Sequence, residues 1–346
     1  QDLVQLQIDL SDIDESGVVP YIRTQGDSQF KEFANLFAGD KSHEALLWRL
    51  AAALFDPLDL ESAQESEVDM QQFSRKMALS DWLKSAVAPA VERADLNAAV
   101  GPDRIFALLS GHRLEEAVNH ALDSGDMRLA TLLATIGNEE TKSAMSAQLD
   151  AWSKEKVDSH IPNEYRRVYA LLAGIVDVAT SDSADSVDVT QGLEWLRAFA
   201  LSFWYKTPLD QPIETAVEAY EQRLEEIAGL PKPVLPHVSA YRKKQEDAPT
   251  DGLFLLLQIF CRRKSVMEAL SDPAHFGKTA SETRIQWHLC NILVHVLPFG
   301  DHADDDQAEN TVRFDRLTVA YACQLESADL WTEAIFVLLH LSDDSA

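Results

Sequence analysis

The chain has 346 residues, 46% of them apolar, and sets 30 Lys and Arg against 57 Asp and Glu, a formal charge of −27. That apolar share is far above the disordered range, and the length suits two compact domains or one elongated one. The acidic balance disfavours DNA or RNA binding and anionic membrane surfaces, since both need a basic face.

Residues 1–10 (QDLVQLQIDL) alternate Val4, Leu6, Ile8 and Leu10 with polar side chains. That period of two has two readings, a half-buried strand in need of a partner sheet or a piece of unfolded tail. Residues 11–28 read as an acidic loop, and residues 1–70 hold 15 acidic and 4 basic side chains. From Phe30 the pattern turns helical. Phe30, Phe33, Leu36 and Phe37 share a face, and Ser42 caps a helix carrying Leu46, Leu47, Leu50, Ala53 and Leu54 that Pro57 stops. After a polar connection at 58–68, a helix is predicted over 69–97 with a kink or break at Pro89.

Residues 104–137 read as three short helices joined by two tight turns. Leu114, Ala117, Val118, Ala121 and Leu122 give the middle one an apolar stripe. Gly111 closes the first helix, Ser124-Gly125 closes the second, and Asp126 caps the third. Helices follow near 139–153 and 163–179, then a polar SDSADS loop, a helix after Thr190 and another opened by Pro212. GLPKPVLPHV at 229–238 cannot be helix and marks an architectural joint. Long helices fill 251–270, 283–297 and 311–325, a last one covers 329–341, and HADDDQ at 302–307 is a solvated loop. The turn at Leu122–Met127 is echoed at Leu325–Leu330, 203 residues later, which is no short repeat period. The array is irregular. Gln1 in place of Met, with the last helix stopping close to Ala346, suggests a piece of a longer protein.

No catalytic motif is present: His-Glu-x-x-His, Gly-x-Ser-x-Gly, a P-loop and a dinucleotide glycine fingerprint are all absent from the sequence. Asp12-x-Asp14-x-Ser16-Gly17 starts like a calcium loop, but Arg23 stands where a bidentate Glu is needed. His288, Cys290 and His295 share a helix without a second ligand pair nearby, which favours core packing over zinc. Trp195, Phe199, Phe203 and Trp204 read as core, as do the widely spaced Cys261, Cys290 and Cys323, in a reducing compartment. Arg242-Lys243-Lys244 and Arg262-Arg263-Lys264 read as solvated positions. No cofactor is called for. There is no signal peptide, and the longest apolar run, Leu253–Leu257, is too short to span a bilayer, so direct membrane insertion is not expected. The reading is a non-enzymatic protein facing the cytosol or nucleus.

Five stretches in order resemble the nucleoporin 96/145C family of helical scaffold nucleoporins: 43–56, 106–137, 194–221, 284–293 and 323–341. The resemblance runs from about Phe30 to Leu341 and implies the ancestral coatomer fold. That fold is an all-α, irregular, elongated solenoid folding back on itself, here with the open question of one short N-terminal strand. Beside the N-terminal strand and acidic loop read at 1–29 and the Pro-rich joint at 229–250, the resemblance implies outgoing trunk helices at 30–100, a crown at 101–228 and returning trunk helices at 251–346. It also implies a structural role in the Y-shaped subcomplex at the nuclear envelope, supporting protein and mRNA transport. A COPII-type vesicle-coat scaffold of the same fold is the alternative. Family members dock crown to crown with another coatomer-type nucleoporin and donate a β-blade to a WD-repeat propeller. Most of the blade region is missing here, which leaves Val4, Leu6, Ile8 and Leu10 as the residues for strand pairing. For the crown interface the expectation falls on Met145, Leu149, Trp152, Tyr165, Tyr169 and Leu172.

Overall fold

The computed structural model describes residues 2–14, 20–25, 29–58, 67–98, 101–157, 160–176, 178–179, 187–227, 229–235, 248–262, 265–270, 272–277, 282–296 and 304–342. The SDSADS loop, the 242–244 cluster, Ser16-Gly17, Arg263-Lys264 and the end of the Pro-rich joint lie outside the described residues. In chain order the elements are α1 (Asp2–Asp9), β1 (Ser11–Asp14), β2 (Tyr21–Thr24), α2 (Phe30–Leu36), α3 (His43–Phe55), α4 (Glu67–Asn97) and α5 (Pro102–Leu109). Next come α6 (Leu114–Asp123), α7 (Met127–Ala134), α8 (Glu139–Lys154), α9 (Asn163–Leu172), and the short pair β3 (Val178–Ala179) and β4 (Val187–Asp188). α10 (Trp195–Leu201) runs into a π-helical turn (Ser202–Lys206), followed by α11 (Ile213–Glu226), α12 (Gly252–Phe260), α13 (Val266–Leu270) and a 3-10 turn (Pro273–His275). The last are α14 (Arg284–Val296), α15 (Asp304–Ser327) and α16 (Trp331–Leu338). The fold is all-α in class, with two small hairpin ladders.

The chain divides into two units, one made of Gln1–Asp59 with Val234–Ala346, the other of Leu60–Pro233. In the first, the two ends of the sequence fold onto one another. α12 is apolar all round, and Leu253 to Leu257 are buried, as a helix enclosed on every side must be. α3, which buries Leu47, Leu50 and Leu54, packs against it. Ser42 caps α3 by accepting from the Ala45 amide at 3.2 Å. The Asp56 carboxylate, at the other end of that helix, accepts from the Phe30 and Lys31 amides, each at 2.8 Å, and so caps α2 from a distance. Asp251 caps α12 and also accepts from His43 Nε2 at 2.7 Å. Arg284 donates to Glu44 at 2.7 Å.

Several expectations need correction here. Residues 2–9 are helix, not strand. Leu3, Val4 and Gln7 are the buried positions, spaced as one face of a helix. Gln7 is polar and hid that face from the pattern. Inside the fold its Oε1 accepts from His288 Nδ1 at 3.2 Å, which compensates its burial. Val4, Leu6 and Ile8 therefore present no strand edge, and Leu10 is held in the helix-end turn by its bond to the Leu6 carbonyl. The strands lie in the stretch read as an acidic loop, where Ser11–Asp14 pairs antiparallel with Tyr21–Thr24 and Ile13 faces Ile22. α4 continues through Pro89 without a break, with Val87 and Val91 on either side buried. The predicted 251–270 helix is two helices, parted where Arg262 takes a φ of 53°. α15 starts at Asp304 inside the presumed loop, since an acidic run suits a first helical turn as well as a loop.

In the second unit, helices are closed by one repeated turn. The first residue after the closing residue is left-handed, and the next amide bonds the carbonyl five residues back. This occurs at Gly125 (φ 77°, Asp126 N to Ala121 O, 3.0 Å) and at Gly174 (φ 74°, Ile175 N to Ala170 O, 2.9 Å). It recurs at His112 (φ 56°) and Lys156 (φ 56°), where no glycine stands. Gly111 thus has another purpose than the expected positive φ. A Cβ there would meet Val91 Cγ2 at 2.8 Å, so glycine lets the turn rest on α4. Gly174 also ends α9 at Leu172, short of the predicted 179.

Buried cations pin the loops of this unit to its helices. Lys76 donates to the carbonyls of Pro208 (2.5 Å) and Gln211 (2.8 Å). Arg167 lies over the Phe106 ring at 3.8 Å and donates to the Val189 and Gln191 carbonyls. Arg197 binds the Ser110 hydroxyl, and Arg223 donates to the Val176 carbonyl at 3.2 Å. Burial lowers the pKa of Lys76, Arg167 and Arg197 below their ordinary values.

Candidate docking surface

The sequence offers α8 and α9 as the surface, and the fold splits its six residues into two groups. Asn138 caps α8, accepting from the Glu140 amide at 2.9 Å, and Lys156 closes it through the Val157 to Trp152 bond. Pro162 introduces α9, whose strongly one-sided pattern buries Val168, Ala170 and Leu171. The two helices pack along each other. Met145 and Leu172 fall on the inner side and are buried with Leu129 and Leu133, so they fill the unit's own core. Leu149, Trp152, Tyr165 and Tyr169 are half-buried.

Those four include three aromatic rings in mutual contact. Trp152 meets Tyr169 edge-on at 5.4 Å, and Tyr165 stacks on Tyr169 at 6.2 Å. Burial, then the Asp126 carboxylate, raises the pKa of the Tyr169 phenol, which stays a neutral donor. Asp126 and Arg128, at the start of α7, act on that phenol electrostatically.

The turns after α6 and α8 also expose apolar side chains that the sequence does not mark as surface. Met127, one residue after the Asp126 cap, is 61% exposed. Leu122, which the helical spacing places on the apolar stripe of α6, is 42% exposed. Ala117 and Ala121 alone of that stripe are fully buried, and their small size lets α6 approach its neighbours closely. Val157, at the close of α8, is exposed as well. Proximity of Met127 to Leu122 across the Ser124-Gly125 turn was readable, but which side of that turn faces solvent was not.

Among the described residues, no group of three or more His, Cys, Asp or Glu side chains could hold a metal ion. His288 gives its Nδ1 proton to Gln7 and accepts from the Tyr321 hydroxyl at 3.3 Å, so both ring nitrogens are engaged. Burial holds it neutral, far below its ordinary pKa. Cys290 is buried, with its thiol pKa pushed up, whereas Cys323 is exposed and Cys261 partly so, which corrects the reading of all three as buried. Asp12 and Asp14, from the calcium-like motif, lie in β1, and Asp12 accepts from Gln25 at 3.1 Å. Trp195, Phe199 and Phe203 are buried and Trp204 half-buried, donating to Ser80 at 2.9 Å. Among the described residues no helix is long and apolar enough to cross a membrane.

Comparison with known proteins gives this arrangement a lineage. The chain is similar to nucleoporin nup189 of Schizosaccharomyces pombe, 28% identical over 323 residues, covering 87% of this chain and 17% of that protein. It is similar to nucleoporin NUP145 of Chaetomium thermophilum, 28% identical over 326 residues, covering 91% and 15% respectively. It is likewise similar to the nuclear pore complex protein Nup98-Nup96 of Drosophila melanogaster, 28% identical over 317 residues, covering 88% and 15%. The chain thus spans less than a fifth of the length of these relatives. The model of the Nup96 family, nuclear protein 96, matches residues 103–346, well over half of the chain. On that match, the chain belongs to the Nup96 family.

Proposed function

We propose that this chain is a non-enzymatic scaffold element of the nuclear pore complex, located at the nuclear envelope, within its Y-shaped subcomplex. Relatives named as nucleoporins over most of its length support the assignment, as does a fold built of packed helices. Assembly would proceed by docking of the Leu60–Pro233 unit, which contains the whole of the proposed crown at 101–228, onto another coatomer-type nucleoporin. The observation that carries this reading is the half-buried aromatic group Trp152, Tyr165 and Tyr169 on adjoining helices. Aromatic side chains with an apolar body and a polar tip dominate the energetics of protein interfaces. The mechanism is rigid presentation, since α8 is held by the Asn138 cap and the left-handed turn at Lys156, and α9 is closed by the left-handed turn at Gly174. A role in nucleocytoplasmic traffic of protein and mRNA would then be indirect, through the integrity of the pore.

The test is a pull-down with the coatomer-type nucleoporins of the same subcomplex, comparing wild type with Trp152→Asp/Tyr169→Asp. Loss of capture by the double variant, with its helical circular dichroism retained, supports the placement. Equal capture moves the interface elsewhere. No capture by wild type sinks crown docking itself.

A further inference from the structure

We propose that the outer face of the α15–α16 hairpin, in the other unit, is a docking groove for an amphipathic helix with cationic flanks from a partner polypeptide. α16 buries Ala334, Phe336 and Val337 and turns Trp331, Ile335 and Leu338 outward, at 56%, 58% and 39% exposure. Those three stand at i, i+4 and i+7, one face of a helix. α15 buries Leu317, Thr318, Tyr321 and Leu325 and leaves Val312 and Val319 exposed, seven residues apart on its opposite side. The two helices run antiparallel and in contact. They are joined by a turn at Asp329 and fastened by Ser342, whose hydroxyl donates to Asp315 at 2.6 Å. Single exposed apolar residues need no explanation, but three on one face of α16 and two on the outward side of the helix packed against it are more than scatter. A furrow between antiparallel helices is shaped to take a third helix by its apolar stripe.

The charges at its rim select the occupant. Glu326 and Asp329 are exposed beside the Trp331 end, and among the described residues neither is in an ion pair. Farther along, Glu309 and Arg313 neutralise one another at 2.6 Å, and the exposed Arg316 stands between Val312 and Val319, so the acidic excess is confined to the Trp331 end. The Trp331 end is therefore acidic, on a chain whose formal charge is −27. A second copy of this chain would bring acid against acid, whereas Lys or Arg flanking an apolar stripe would be attracted.

The experiment places the photo-crosslinking amino acid benzoylphenylalanine at Ile335 of the full-length protein in its assembled complex and maps the adduct by mass spectrometry. The expected product joins position 335 to a segment of another chain with apolar residues at helical spacing and Lys or Arg beside them. Glu326→Lys/Asp329→Lys, both at exposed positions, should cut the yield roughly tenfold at low salt and less at high salt. An adduct to a second copy, to this same polypeptide or to an acidic segment overturns the proposal. So does an absent adduct with an unchanged thermal midpoint, or a yield indifferent to the charge reversal.

Discussion

The centre around Trp287 and the α8–α9 surface use their aromatic residues in opposite ways. In the unit made from the chain's ends, rings collect around buried Trp287. Tyr321 lies 5.3 Å from it, His288 at 4.9 Å, His340 at 5.0 Å and Phe336 at 6.5 Å. The Trp287 indole donates to Thr318 and His288 bonds on both sides, so this centre is apolar in bulk yet satisfied in its polar tips. In the Leu60–Pro233 unit, the core of the α5–α9 hairpins is mostly aliphatic and small: Ala117, Ala121, Leu129, Leu133 and Val168. Its rings at α8 and α9 stay half-exposed. Aromatic area turned inward stabilises a fold, while area left at a surface is available to a partner. The contrast separates the residues that stabilise from those proposed to dock.

The strongest way to break that comparison is Trp287→Ala. It should cost about 3–5 kcal/mol, because a large ring is lost and the Thr318 hydroxyl loses its donor. Chemical denaturation would read this, and a loss under about 1 kcal/mol would mean the centre does not carry the stability assigned to it. Gly111→Ala should cost about 1–3 kcal/mol, by forcing a methyl against Val91. Combining it with Val91→Ala should cost less than the two separate losses added together, and strict additivity in a double-mutant cycle would refute the contact.

His112 gives a test by pH. Its ring packs 5.0 Å from Trp204, and burial, then the Lys84 charge, lowers its pKa to about 4. The folded pKa lies below the ordinary value of about 6.5, so the unfolded chain binds the proton more readily between those limits. This contribution is full above about pH 6.5 and is lost as pH falls towards about 4, on the order of 2 kcal/mol after discounting partial exposure. His112→Asn, which tolerates the left-handed φ, should flatten that part of the stability profile. The smallest effect is expected at Asp329, where φ is 60° on an exposed turn. Asp329→Gly should stabilise by about 0.5–1 kcal/mol, by relieving the left-handed strain on a side chain. A destabilised variant would show that Asp329 holds the turn by a contact of its own.

How much was legible depended on whether a feature was local. Ser42, Asp126 and Pro212 announced helix starts, because a cap acts within one turn of its own residue. The irregular all-α class followed from helical spacing, and the family resemblance from five local stretches. The errors share a cause. Gln7 made residues 2–9 look alternating because its reason for being buried, His288, lies 281 residues away. Gly111 was given a positive φ because its real constraint, Val91, belongs to another helix. Leu122 was counted as core because periodicity gives the face of a helix but not how far the neighbouring helix extends over it.

The candidate surface shows the same division. The sequence determined that Met145, Leu149, Trp152, Tyr165, Tyr169 and Leu172 lie on two helices and are large and apolar. Only the tertiary structure decided that Met145 and Leu172 turn inward while the aromatic rings remain at the surface. The reason is that helical periodicity is set by each residue's own backbone, whereas burial is set by which helices pack against it.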